Sequence, residues 1–111
     1  MIRLTVLYNL PPGSDEDAFL AWRLGEHQAS NEGMEGVVTT DFGRVYSQWT
    51  PDDPNAKPIY RFITIADWRD RESFEKGFLS PESQAQLRQD TERIRDAVFL
   101  ISEILVTSAG S

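Results

Sequence analysis

The sequence contains one histidine, His27, and no cysteine. Imidazole is the side chain whose unperturbed pKa puts its charge change near neutrality. His27 is therefore the first candidate for acid–base chemistry or for orienting a polar ligand. Without cysteine there is no disulfide framework, no thiolate nucleophile and no cysteine-based zinc site. One histidine among scattered carboxylates is also a poor transition-metal site. Asp15, Glu16 and Asp17 read as the start of a helix, Asp52 and Asp53 as part of a turn, and the charged run from Arg88 to Asp96 as a solvated helix face. The sequence points to no metal and no other cofactor.

The elements that would position His27 read in the order β-α-β-β-α-β. Residues 2–9 are β-branched and aliphatic, a first strand that ends at Leu10-Pro11-Pro12-Gly13. Ser14 is the expected N-cap of a helix over 15–31, with Phe19, Leu20, Trp22 and Leu24 as its buried face and His27 at the edge of it. Gly33 and Gly36 lead into a second strand over 37–49, and Thr50 to Asn55 form a polar turn. A third strand spans 58–67 and a short helical turn 70–79. Ser80 and Pro81 then open a helix that runs to about residue 97. Residues 99–107 form a fourth strand, and the tail 108–111 is loose.

At 111 residues the chain is one domain, 1–111, with 40% hydrophobic residues to fill a core. Its formal net charge of −7 disfavours nucleic acid, whose binding depends on basic contacts to phosphate, and disfavours anionic membranes. No run approaches the ~20 apolar residues of a membrane span, and the N-terminus lacks the pattern of a signal peptide. A cytoplasmic location is expected.

Alternation along the strands divides the sheet into two faces. Even positions place Ile2, Leu4, Val6, Tyr8, Tyr60, Phe62, Thr64, Ala66, Leu100, Ile104 and Val106 beneath the helices. Odd positions place Leu7, Ile63, Ile65, Ile101 and Leu105 on the other face, with Arg3, Arg61 and Glu103 embedded among them. Exposing so many aliphatic side chains costs many kcal/mol at ~25 cal/mol per Å². A second copy of the chain, sheet against sheet, is the expected cover, and Arg3, Thr5, Arg61, Ile63 and Glu103 are the expected interface residues.

This order and its self-associating sheet resemble the dimeric α+β barrel superfamily, and within it the EthD family along nearly the whole chain. The resemblance is carried by Met1-Ile2-Arg3-Leu4-Thr5-Val6-Leu7-Tyr8, by His27, by Gly33-Met34-Glu35-Gly36, by Trp68, and by Phe74 with Ser80-Pro81-Glu82-Ser83-Gln84-Ala85. It implies a ferredoxin-like α+β sandwich with a four-stranded antiparallel sheet, a homodimer, and a small pocket between each sheet and its own helices. The family's helix-one histidine falls at His27, followed here by Gln28-Ala29-Ser30 in place of a proline turn. A tyrosine of related isomerases falls at Thr40, so isomerase activity is not carried over. The tryptophan and histidine of haem-degrading relatives fall at Gly77 and Leu87, which argues against haem degradation.

The expected site is thus a mostly apolar pocket for a small hydrophobic or aromatic metabolite. His27 is its catalytic candidate, and Tyr8, Thr40, Tyr60, Phe62, Trp68, Phe74 and Phe78 are its ligand-binding candidates. Isomerase, cyclase or oxygenase-type chemistry without a metal is the leading reading. The alternatives are a cofactor-independent monooxygenase of phenols and a non-catalytic binding or accessory module of a degradation pathway.

Overall fold

The computed structural model describes residues 1–29 and 33–110. Four strands form one antiparallel sheet in the order β2-β3-β1-β4. They are β1 (Ile2–Asn9), β2 (Val37–Arg44), β3 (Phe62–Trp68) and β4 (Arg95–Glu103). Among the described residues the helices α1 (Glu16–Trp22), α2 (Arg71–Phe78) and α3 (Pro81–Thr91) complete the fold. The predicted strands two and three are thus shortened at the ends that flank the 50–55 turn. The predicted first-helix residues 30 and 31, and Ser111 of the tail, lie outside the described residues.

Side-chain alternation builds the core. Ile2, Leu4, Val6 and Tyr8 of β1 are buried opposite Trp68, Ala66, Thr64 and Phe62 of β3, of which Thr64 alone stays half-buried. Phe19 of α1 packs onto this face against Tyr8 and Phe62. Phe74 and Phe78 of α2 pack edge-on against Trp68. Pairing in β2 shifts between Val37 and Thr39, after which Thr40 lies opposite Ala66 and Phe42 opposite Thr64. That extra residue sets Thr40 on the helix side and Asp41 on the other.

β4 departs from the expected parity. It runs over 95–103 rather than 99–107, and Glu103, Ile101 and Phe99 pair with Ile2, Leu4 and Val6. Leu100 therefore shares the open face with Thr5, while Ile101 and Glu103 lie on the helix side. Val98, Phe99, Leu100 and Ile101 are all apolar, so alternation in this strand carried no face information.

Helix ends follow their caps. Asp15, not Ser14, is the N-cap of α1; its carboxylate accepts the backbone N–H of Ala18 at 3.1 Å. Asp70 caps α2 and Ser80 caps α3, each accepting the N–H three residues on. α3 stops at Thr91, short of the predicted 97, and Asp96 adopts a left-handed φ of 57° that no helix tolerates.

Candidate functional site

The helix that α1 begins is interrupted by a wider turn. Residues Arg23–His27 form a π-helical turn that continues it. Trp22, Arg23 and His27 all line the cavity described below, while Leu24, expected in the core, is 61% exposed.

α3 buries none of its residues. Ser83, Leu87 and Asp90, with Ile94 just beyond the helix, face the sheet at i, i+4, i+7 and i+11, yet a cavity of about 350 Å³ separates them from it. Such a volume suits a small-molecule ligand. Its floor is Leu4, Val6, Ala66 and Phe99, and α1 and α3 form its walls.

His27 lies on the wall of this cavity. Its Nδ1 is 3.1 Å from Oδ2 of Asp90, and the two side chains are only 17% and 14% exposed. The imidazole stacks on Trp22 with ring centroids 4.6 Å apart, and the guanidinium of Arg93 covers that indole at 4.3 Å. Burial pushes the His27 pKa below its ordinary value. Asp90 opposes that shift, and Arg23 and Arg93 add to it. Burial thus favours the neutral ring, whose Nδ1 lies beside the Asp90 carboxylate.

A second polar group starts at Arg23, which is 1% exposed. One guanidinium N–H donates to Oε1 of Gln28 at 2.7 Å and another to Oγ1 of Thr64 at 3.3 Å. Its carbon lies 4.2 Å from the centroid of Phe42. Gln28 donates in turn to Oγ1 of Thr40 at 3.0 Å, and Thr64 Oγ1 lies 3.4 Å from the Tyr8 hydroxyl. Among the described residues no carboxylate comes within ion-pair distance of Arg23, and its Nε has no hydrogen-bond partner. Burial lowers the guanidinium pKa, with Tyr8 and Asp90 acting against it.

Of the expected ligand-binding residues, Tyr8, Thr40, Trp68 and Phe78 line the cavity with His27. Phe62 is fully buried behind it, between the rings of Tyr8 and Phe42. Tyr60 precedes β3 and does not reach it. Phe74 lines a separate hollow of about 230 Å³ with Ile2, Ile101 and Glu103.

The expected interface residues also separate. Arg3 lies on the open face and binds Asp67 through two N–H groups, at 2.9 and 3.2 Å. Thr5 and Ile63 share that face, while Glu103 lies on the opposite one. Arg61 falls just before β3 and pairs with Glu16 at 2.7 Å, at the start of α1.

Arg23 and Asp90 are functional candidates that sequence reasoning passed over. Asp90 falls in a charged run that composition marks as solvated, although the 83-87-90-94 spacing marks an inward stripe. Arg23 follows Phe19 by four residues, a spacing that shares one helix face. Among the described residues no group of three His, Asp or Glu side chains is placed to share a metal ion. No helix among them is long and apolar enough to cross a membrane.

Fold and site together define a ferredoxin-like α+β sandwich with a cavity between sheet and helices. No protein-family model matches the chain, and no curated protein matches it in sequence. Solved structures match it over nearly its full length. An EthD-family protein from Bacillus halodurans superposes with a TM-score of 0.73 at 19% identity, covering 95% of this chain and 99% of that one. A dimeric ferredoxin-like protein from Thermobifida fusca gives 0.67 at 16% identity, covering 93% and 90%. SnoaB, a cofactor-independent oxygenase from Streptomyces nogalater, gives 0.66 at 14% identity, covering 96% and 94%. The likeness establishes the fold shared with these proteins.

Proposed function

We propose that this protein binds a small hydrophobic or aromatic metabolite in the cavity beneath α3 and acts on it by proton transfer. The observation that carries this reading is the His27–Asp90 pair at the wall of a cavity of about 350 Å³. Asp90 holds the imidazole in the tautomer that leaves Nε2 as the base, and stabilises the imidazolium once it forms. Trp22, Trp68 and Phe78 supply aromatic walls, and Tyr8 orients the ligand. Isomerisation, cyclisation and oxygenation of an electron-rich substrate each begin with such a proton removal. A related fold in a cofactor-independent oxygenase is consistent with that class of chemistry.

We also read the open face of the sheet as a homodimer surface. Leu7, Ile63 and Ile65 are half-buried there and Leu100 is exposed, and no helix among the described residues covers them. A dimeric neighbour with the same fold supports that assembly.

Deuterium exchange tests the function. A small aromatic ketone such as acetophenone, incubated with the protein in D2O, should gain deuterium at its α-carbon. His27→Ala should slow the exchange by about 10²–10⁴-fold, the usual contribution of one positioned base. Saturable binding with equal, background exchange for both proteins would mean a binding module without catalysis.

A further inference from the structure

We propose that Arg23 charges an oxyanion site in this cavity through two hydrogen-bond chains, and that the ligand is a phenol or enolisable ketone bound with its oxygen as the anion. The inference rests on the proposed function and specifies its substrate class.

The argument is a count of protons. A guanidinium can only donate, so both chains have a fixed direction where they leave Arg23. On one side it donates to the Gln28 carbonyl oxygen, which sets the amide orientation, and the Gln28 amide N–H then donates to Thr40 Oγ1. Thr40 therefore accepts, and keeps its own hydroxyl proton for an acceptor in the cavity that it lines. On the other side Arg23 donates to Thr64 Oγ1, which is in contact with the Tyr8 hydroxyl. Thr64 and Tyr8 hold two hydroxyl protons between them, and their mutual bond uses one. Whichever donates, one proton is left over, and both residues line the cavity.

The cavity thus presents two hydroxyl donors, each backed by the same buried cation. Donors polarised by a charge favour an anionic acceptor over a neutral one. Among the described residues Arg23 makes no ion pair, and Asp90 is the one carboxylate that opposes the cost of burying its charge. An anionic ligand oxygen adds a second countercharge. The chemistry balances: the ligand C–H or O–H proton passes to His27 Nε2, the electron pair of that bond becomes the enolate or phenolate, and the new imidazolium faces Asp90. Nothing is oxidised or reduced in this step.

The test uses 4-nitrophenol, whose neutral and ionised forms absorb at different wavelengths. Bound to the full chain it should ionise at lower pH than in free solution, with a saturable quench of tryptophan fluorescence. Tyr8→Phe and Thr40→Val should each weaken phenolate binding about tenfold, as expected for one hydrogen bond to a charged group. Arg23→Met should abolish the preference for the ionised form while nitrobenzene, a neutral analogue without the hydroxyl, still binds. A probe bound in its neutral form, or a phenolate preference unchanged in Tyr8→Phe and Thr40→Val, would overturn the proposal and leave the binding reading intact. Failure of both 4-nitrophenol and nitrobenzene to bind would overturn both.

Discussion

His27 Nδ1 lies 3.1 Å from Oδ2 of Asp90, joining the π-helical turn after α1 to the last turn of α3. Both residues line the cavity, and the contact places the Nδ1 side of the imidazole against a carboxylate. It also means that α3, which buries none of its own residues, is held partly by the site it covers.

The pH response of His27 follows from its surroundings. Burial lowers its folded pKa below that of the unfolded chain, so the unfolded state takes up the proton first as pH falls. Stability should therefore decline as pH drops from about 6.5 toward the lower folded pKa, and level off below it. Urea denaturation of wild type and His27→Gln across this range checks the sign; the substitution should remove this part of the pH dependence.

Asp90→Asn should lower the His27 pKa further, because it removes the neighbour that favours the imidazolium. The chain has one histidine, so a single imidazole C–H resonance reports the titration without ambiguity. A pKa that rises or stays unchanged would contradict the contact.

Gly77→Ala should destabilise the fold by about 2 kcal/mol or more, as overpacking does. A Cβ there would overlap the Glu35 carbonyl oxygen and come within 2.8 Å of Trp68 Nε1. These are the two partners of the 3.0 Å hydrogen bond that ties the segment before β2 to the end of β3. Thermal unfolding measures the loss.

Phe19→Ala and Leu24→Ala test the π-helical turn. Phe19 sits in the aromatic core and its truncation should cost about 3–5 kcal/mol. Leu24 faces solvent, so its truncation should stay within about 0.5 kcal/mol. Equal effects would restore the uninterrupted helical face that the sequence suggests.

On the proposed homodimer surface, Ile63→Glu should give a monomer or an unfolded chain, since it sets a charge beside Leu7 on the open face. Analytical ultracentrifugation decides, and an intact dimer would refute this face as the interface.

The sequence revealed the fold where its two faces differ in polarity. In β1 and β3 the buried Ile2, Leu4, Val6, Phe62 and Ala66 alternate with partners that include Arg3 and Asp67, so register could be read directly. β4 is apolar on both faces, and its parity had to come from pairing with β1. The site was half legible. A lone histidine beside an apolar helix stripe marked His27, and strand parity marked Tyr8 and Thr40. Arg23 and Asp90 stayed hidden because charged side chains are normally solvated. Only the three-dimensional arrangement shows one buried under Phe42 and the other turned toward an imidazole.

The most direct test of the account is an NMR titration of the His27 imidazole with acetophenone. Its resonance should move saturably, with the same midpoint as the quench of tryptophan fluorescence, and the response should vanish when Leu87→Trp fills the cavity. A resonance that stays fixed while the ketone binds would place the ligand elsewhere and contradict His27 as the group that meets it.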